Sequence, residues 1–145
     1  MSVGAARLLL FAVAALGACS RDDSAERRAR LGANPTFAQV MQVADAQAGA
    51  RRFGQCAACH SIAEGGADRN GPNLHGVFGN TIAQNSARFG YTDALRAQRG
   101  VWDERRLDAW LADPRRAVPG TSMAFAGVRD PIARADLIAY LKTQR

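Results

Sequence analysis

Cys56-Ala57-Ala58-Cys59-His60 is the stretch whose reading decides the fold. Two cysteines spaced C-x-x-C and followed at once by histidine match the attachment signature for c-type haem. In that chemistry both thiols add to the haem vinyl groups as thioethers, and the imidazole binds the iron from one face. The spacing has a physical basis. On one helical turn the two sulfurs reach adjacent corners of the porphyrin, while His60 lies beneath its centre. A thioredoxin-like redox pair and half of a zinc site are the other readings of the same residues. A redox pair is expected within a β-α-β pattern, and no strand-like run precedes Cys56. Zinc needs four ligands, and beyond the motif the chain offers only His75 and Cys19.

The 145 residues suffice for one compact domain and little more. With Cys56 and Cys59 assigned to one haem c, Cys19 is the cysteine left to explain. The formal net charge is +6, almost all of it arginine. These arginines are scattered among acids and the aromatics are few, so no nucleic-acid partner is expected. The charge reads as a solvated face first and a docking surface second.

Arg7 precedes an apolar run from Leu8 to Ala18, then Cys19 and the polar Ser20-Arg21-Asp22-Asp23. A positive start, a short apolar region and small residues before the break describe an export signal. The run falls short of the roughly 20 apolar residues that span a bilayer. Leu16-Gly17-Ala18-Cys19 also resembles the bacterial lipobox, at which cleavage precedes a cysteine that is then lipidated. Residues 1–18 are thus expected to be a lipoprotein-type signal peptide, with Cys19 as the membrane anchor. From Ser20 to about Phe37 the chain is charged and Ala/Arg-rich without apolar periodicity, which predicts a flexible tether over residues 19–38. Residues 39–145 form the expected domain.

In that domain Phe37, Val40, Met41, Ala44 and Ala48 recur at helical spacing and predict an N-terminal helix running into the haem motif. Gly49 would let another backbone approach closely, beside Phe53. Met41 is a possible iron ligand, although a methionine on such a stripe is usually core. Asn70 to Tyr91 reads as an extended loop wrapped on a flat hydrophobic object, since so long a loop needs a partner inside a small domain. Thr92–Arg96 predicts a short capped helix, and Asp103–Asp113 a helix with Leu107, Trp110 and Leu111 on one face, ended by Pro114. Met123 lies in a Pro-Gly loop among small residues, where a ligand explains it better than helix packing. A last helix starts near Pro131.

The chain from about Ala44 to Thr143 resembles the class I cytochromes c, on the mitochondrial and bacterial c2 branch. The resemblance rests on Cys56–His60, Gly71-Pro72-Asn73-Leu74-His75-Gly76-Val77-Phe78-Gly79, Pro119-Gly120-Thr121-Ser122-Met123 and Asp136–Lys142, in matching order and spacing. It implies an all-α fold, a few helices and long loops around one covalently bound haem. It also implies Met123 as the iron ligand opposite His60, and a Pro72 carbonyl that accepts the His60 Nδ1 proton. Tyr91, Trp102 and Thr121 match positions that donate hydrogen bonds to the haem propionates. Gly49 and Phe53 would meet Leu137 and Tyr140 where the first and last helices cross, and His75 matches a surface histidine.

Three departures stand out. Asn80 replaces a basic residue aimed at a propionate. Trp110 stands where a tyrosine hydroxyl approaches the methionine sulfur. Gln55 and Ser122 occupy two usually basic positions, while Arg115, Arg116 and Arg129 keep three.

With both axial positions filled, the expected chemistry is one-electron transfer without catalysis. The resemblance implies a monomeric shuttle of the bacterial periplasm, docking at its haem edge with partners such as a cytochrome bc1-type complex and a cytochrome c oxidase. The competing readings are a dedicated electron-accepting subunit of a periplasmic dehydrogenase, and a peroxidase-like haem enzyme.

Overall fold

In the computed structural model residues 23–145 are described, and all of their helices except the first and the fourth start where a short polar side chain caps them. The first, α1 (Ser24–Leu31), ends at Gly32. Thr36 begins α2 (Phe37–Gln42) with a capping box, its hydroxyl accepting from the Gln39 amide while the Gln39 side chain accepts from the Thr36 amide. Asp45 caps α3 (Ala46–Arg52) by accepting from the Gln47 amide at 2.8 Å. Phe53 turns the chain into α4 (Gly54–Ala57), the haem-motif turn. Thr92 caps α5 (Asp93–Arg96). Asp103 caps α6 (Glu104–Ala112), and Asp113 then caps α7 (Pro114–Ala117) with Pro114 at its first position. Asp130 and Pro131 open α8 (Pro131–Thr143), the longest element among the described residues.

The core is built on α8. Ile132, Leu137 and Ile138 are fully buried, and Leu137 and Ile138 pack in one cluster with Phe53, Leu107 and Leu111. Helices α3 and α8 cross at Gly49. A Cβ there would collide with the Asp136 carbonyl and stand 2.7 Å from the Tyr140 Cβ, so only glycine lets the backbones meet. Phe53 packs on Tyr140 beside the crossing, ring centroids 5.4 Å apart. Between α4 and α5 the chain is loop, tied by one antiparallel bridge between Thr81 and Val101. The described residues contain no strand beyond that bridge, and the all-α expectation holds.

Two expectations change. The single N-terminal helix is instead α2 and α3, broken over Val43–Asp45. There the Val43 carbonyl accepts from Arg27 and the Asp45 amide donates to the Asp136 carboxylate, so buried partners satisfy backbone groups that a continuous helix would have paired internally. The second change lies inside the segment read as a flexible tether. From Ser24 to Leu31 it is helical, and Arg27 is buried against α8. Composition concealed this, because the inward residue is an arginine and not an apolar side chain. Residues 1–22, including Cys19 and the expected signal peptide, lie outside the described residues.

Candidate haem site

Helix α4 carries Cys56 and the turn that follows it carries Cys59, Cys56 half-buried and Cys59 exposed. Burial pushes the Cys56 thiol up to about 11. His60 follows, buried, and its ring is held by the loop at Gly71 and Pro72. Nδ1 lies 2.8 Å from the Pro72 carbonyl, which can only accept, so Nδ1 donates there and, in the neutral ring, Nε2 is the nitrogen with the lone pair. Gly71 also packs on the ring, where a Cβ would be 2.7 Å from Nδ1 and 2.9 Å from Nε2. The loop after the motif is pinned by Asn73, whose side-chain amide donates to the carbonyls of Ala63 and Gly66 at 2.8 Å each.

These residues open onto a cavity of about 350 Å³, within the range that holds a cofactor. Cys56, Cys59, His60, Pro72, Tyr91, Trp102, Trp110, Thr121 and Met123 all line it. They come from well-separated parts of the chain, and the fold gathers every site residue expected among the described ones. Apolar walls come from Leu74, Val77 and Leu95, from Leu107 and Leu111 of α6, and from Leu137 and Leu141 of α8. Two thiols, an imidazole and a thioether in one apolar cavity form a donor set suited to a covalently held haem. Among the described residues no cluster of His, Cys, Asp and Glu could hold a metal ion by itself. Met41 and His75 do not line this cavity; Met41 faces a separate groove with Phe37 and Phe78.

The polar rim is ordered by loop contacts. The Tyr91 hydroxyl accepts from the Ser86 amide at 3.1 Å, leaving its own proton to donate, and desolvation raises its pKa. Ser86 in turn donates to Asp68 at 2.6 Å. Thr121 Oγ1 accepts from the Met123 amide at 3.2 Å, which fixes the loop that presents the thioether. Trp102 and Trp110 pack together with ring centroids 5.3 Å apart. Asn80 is absent from the lining and donates to Asn85 at 2.8 Å; Asn85 lines the cavity and donates to the carbonyls of Asn73 and His75. Asn85, Asn70 and Phe89 are lining residues that the sequence did not single out. Phe89 stands out as an aromatic in a polar stretch, but an asparagine in such a loop carries no signal of its own.

The cytochrome c family model matches residues 46–145. A cytochrome c homolog of Bradyrhizobium diazoefficiens is 36% identical over 118 residues, covering 81% of this chain and 64% of that protein, so the match spans under two thirds of its length. Cytochrome c of Theileria parva is 40% identical over 111 residues, 76% of this chain and 95% of that one. Among solved structures, cytochrome cH from Methylobacterium extorquens matches with a TM-score of 0.64 and 42% identity, over 68% of this chain and 98% of that one.

Proposed function

Because the chain belongs to the cytochrome c family and is an electron carrier with one covalently attached haem c, we propose that it shuttles single electrons between membrane or periplasmic redox complexes of a bacterium. In this reading Cys56 and Cys59 are the thioether attachments, His60 and Met123 the axial iron ligands, and Cys19 a lipid anchor. The observation that carries it is the convergence of the expected donor residues on one apolar cavity. When bound, the haem supplies a one-electron couple, and a thioether ligand favours the reduced state.

The chain's own groups supply the rest. The Pro72 carbonyl and Gly71 hold the His60 ring so that Nε2 is the nitrogen offered to the cavity. Thr121 restrains the Met123 loop. The apolar walls from α6 and α8 exclude water, while the exposed Gln55 and Ser122 sit at the rim. Exposed Arg115 and Arg116 on α7 offer positive charge to acidic patches on partners. Such docking is brief and needs only a small interface. The lipid anchor would raise the effective concentration near membrane partners and lessen the need for a ring of edge charges.

The test is reoxidation of the reduced protein by membranes from its own source, with and without cyanide. Fast, cyanide-sensitive reoxidation is expected of a shuttle feeding a haem–copper oxidase. No reoxidation, in protein with intact His/Met spectra, would replace the shuttle with a dedicated dehydrogenase partner.

A further inference from the structure

Arg27 is the inward-facing residue of α1, 3% exposed. Its guanidinium donates through Nη1 to Asp136 Oδ1 at 2.6 Å and through Nη2 to Oδ2 at 3.0 Å, a planar fork on a carboxylate. Nη1 also donates to the Val43 carbonyl at 2.9 Å, and Nε to Asp23 Oδ1 at 2.7 Å. Asp136, fully buried in α8, accepts the Asp45 amide as well. On the outer side of α1, Arg28 donates to Asp130 at 2.9 Å. Residues 23–31 are therefore clamped by Arg27 to the middle of α8 and by Arg28 to its N-cap. They cannot serve as a leash.

We infer that the free leash between the lipid and the domain is only the stretch from Cys19 to Asp23, and that the face carrying α1 and Asp130 is held against the membrane headgroups. The inference rests on the proposed lipid anchor at Cys19. Four chain steps reach at most about 14 Å, whereas a coil from Cys19 to Phe37 would extend to roughly 60 Å with a root-mean-square reach of about 20–25 Å. The occupant of this face is the lipid surface. The exposed side of α1 carries Glu26 and Arg30, with Arg28 already paired to Asp130, so the short reach and not a net positive charge seats this face on the lipid. The domain then pivots at the surface, and its partners must present their docking sites close to the bilayer.

The test uses full-length, exported holoprotein reconstituted in phosphatidylethanolamine/phosphatidylglycerol vesicles. Thioether bonds occupy Cys56 and Cys59 and the lipid occupies Cys19, so an introduced Arg129→Cys, beside Asp130, takes a spin label alone. Relaxation of that label by nickel-chelating headgroups reports its distance from the surface. Strong relaxation is expected, falling several-fold when about twelve Gly-Ser residues are inserted between Asp22 and Asp23. Arg27→Gln should produce a smaller fall; if it does not fold, the insertion alone decides. Equal relaxation in parent and insertion variant, in protein whose N-terminal peptide has the mass of a lipidated cysteine, overturns the short leash and leaves the anchor standing. An N-terminal peptide without lipid overturns the anchor and the inference with it.

Discussion

Two groups lend themselves to single substitutions, one lining the cavity and one behind its rim. Met123 is the proposed iron ligand, and its amide is tied to Thr121. Met123→Ala should keep the haem covalently attached and abolish the sulfur-to-iron charge-transfer band of the ferric protein. It should lower the reduction potential and admit an added ligand such as imidazole at low concentration; absorption titration checks all three. A variant that kept the band would assign the sixth position to another residue. Asp68 works at longer range, because it staples the loop after His60 to the loop that carries Tyr91. Its carboxylate accepts from Ser86 Oγ at 2.6 Å and from the Asn73 amide at 2.8 Å, and these bonds, the Ser86 one first, hold its pKa below the usual carboxylate value. A depressed folded-state pKa gives stability that is complete above the unfolded value of about 3.9 and is lost as pH falls through the folded one. Asp68→Asn should therefore lower stability at neutral pH and flatten its loss on the acid side. Denaturant midpoints measured from about pH 6 down to pH 3 would show whether the two curves converge.

The elements differ in how openly the sequence declares them. Helix α6 and the start of α8 are legible because capping residues, proline and an apolar stripe agree: Asp103 before α6, Asp130-Pro131 before α8, Leu107 and Leu111 facing in. Gly49 was legible as a close approach because nothing larger fits a helix crossing. Helix α1 was not, since its buried anchor is a charged side chain whose partner Asp136 lies 109 residues away. Local periodicity contains no trace of that pairing. The break between α2 and α3 was hidden for the same reason, because its backbone partners belong to the same cluster. Removing Arg27 takes the forked partner from buried Asp136 and leaves it the more distant Arg52 at 3.7 Å and the Asp45 amide, a loss on the order of the 3–5 kcal/mol of a broken buried pair. Arg27→Met should lose that much in guanidinium unfolding of the holoprotein, whereas Arg27→Met with Asp136→Leu should lose less. A loss for Arg27→Met below about 1 kcal/mol would mean that α1 is not clamped.

At the scale of the whole molecule, charge and the proposed lipid anchor are two ways to bring partners to the haem edge. The net charge of +6 is spread over many arginines, and two positions at the cavity rim are neutral, Gln55 and Ser122. Steering then depends on few residues. Arg115 and Arg116 are exposed on α7, a short step in sequence from Thr121 and Met123. At an ionic strength near 0.01 M their field extends about 30 Å, but at 0.15 M only about 8 Å. Arg115→Glu with Arg116→Glu should slow the second-order reaction of the soluble, anchor-free domain with an acidic oxidase by about tenfold at low salt, and by little at 0.15 M. The same pair of substitutions in the lipid-anchored protein should matter less, because confinement to the surface replaces long-range capture with a high local concentration. Stopped-flow oxidation of both forms across ionic strength separates the contributions: an equal loss in anchored and free protein would mean that charge alone governs the encounter.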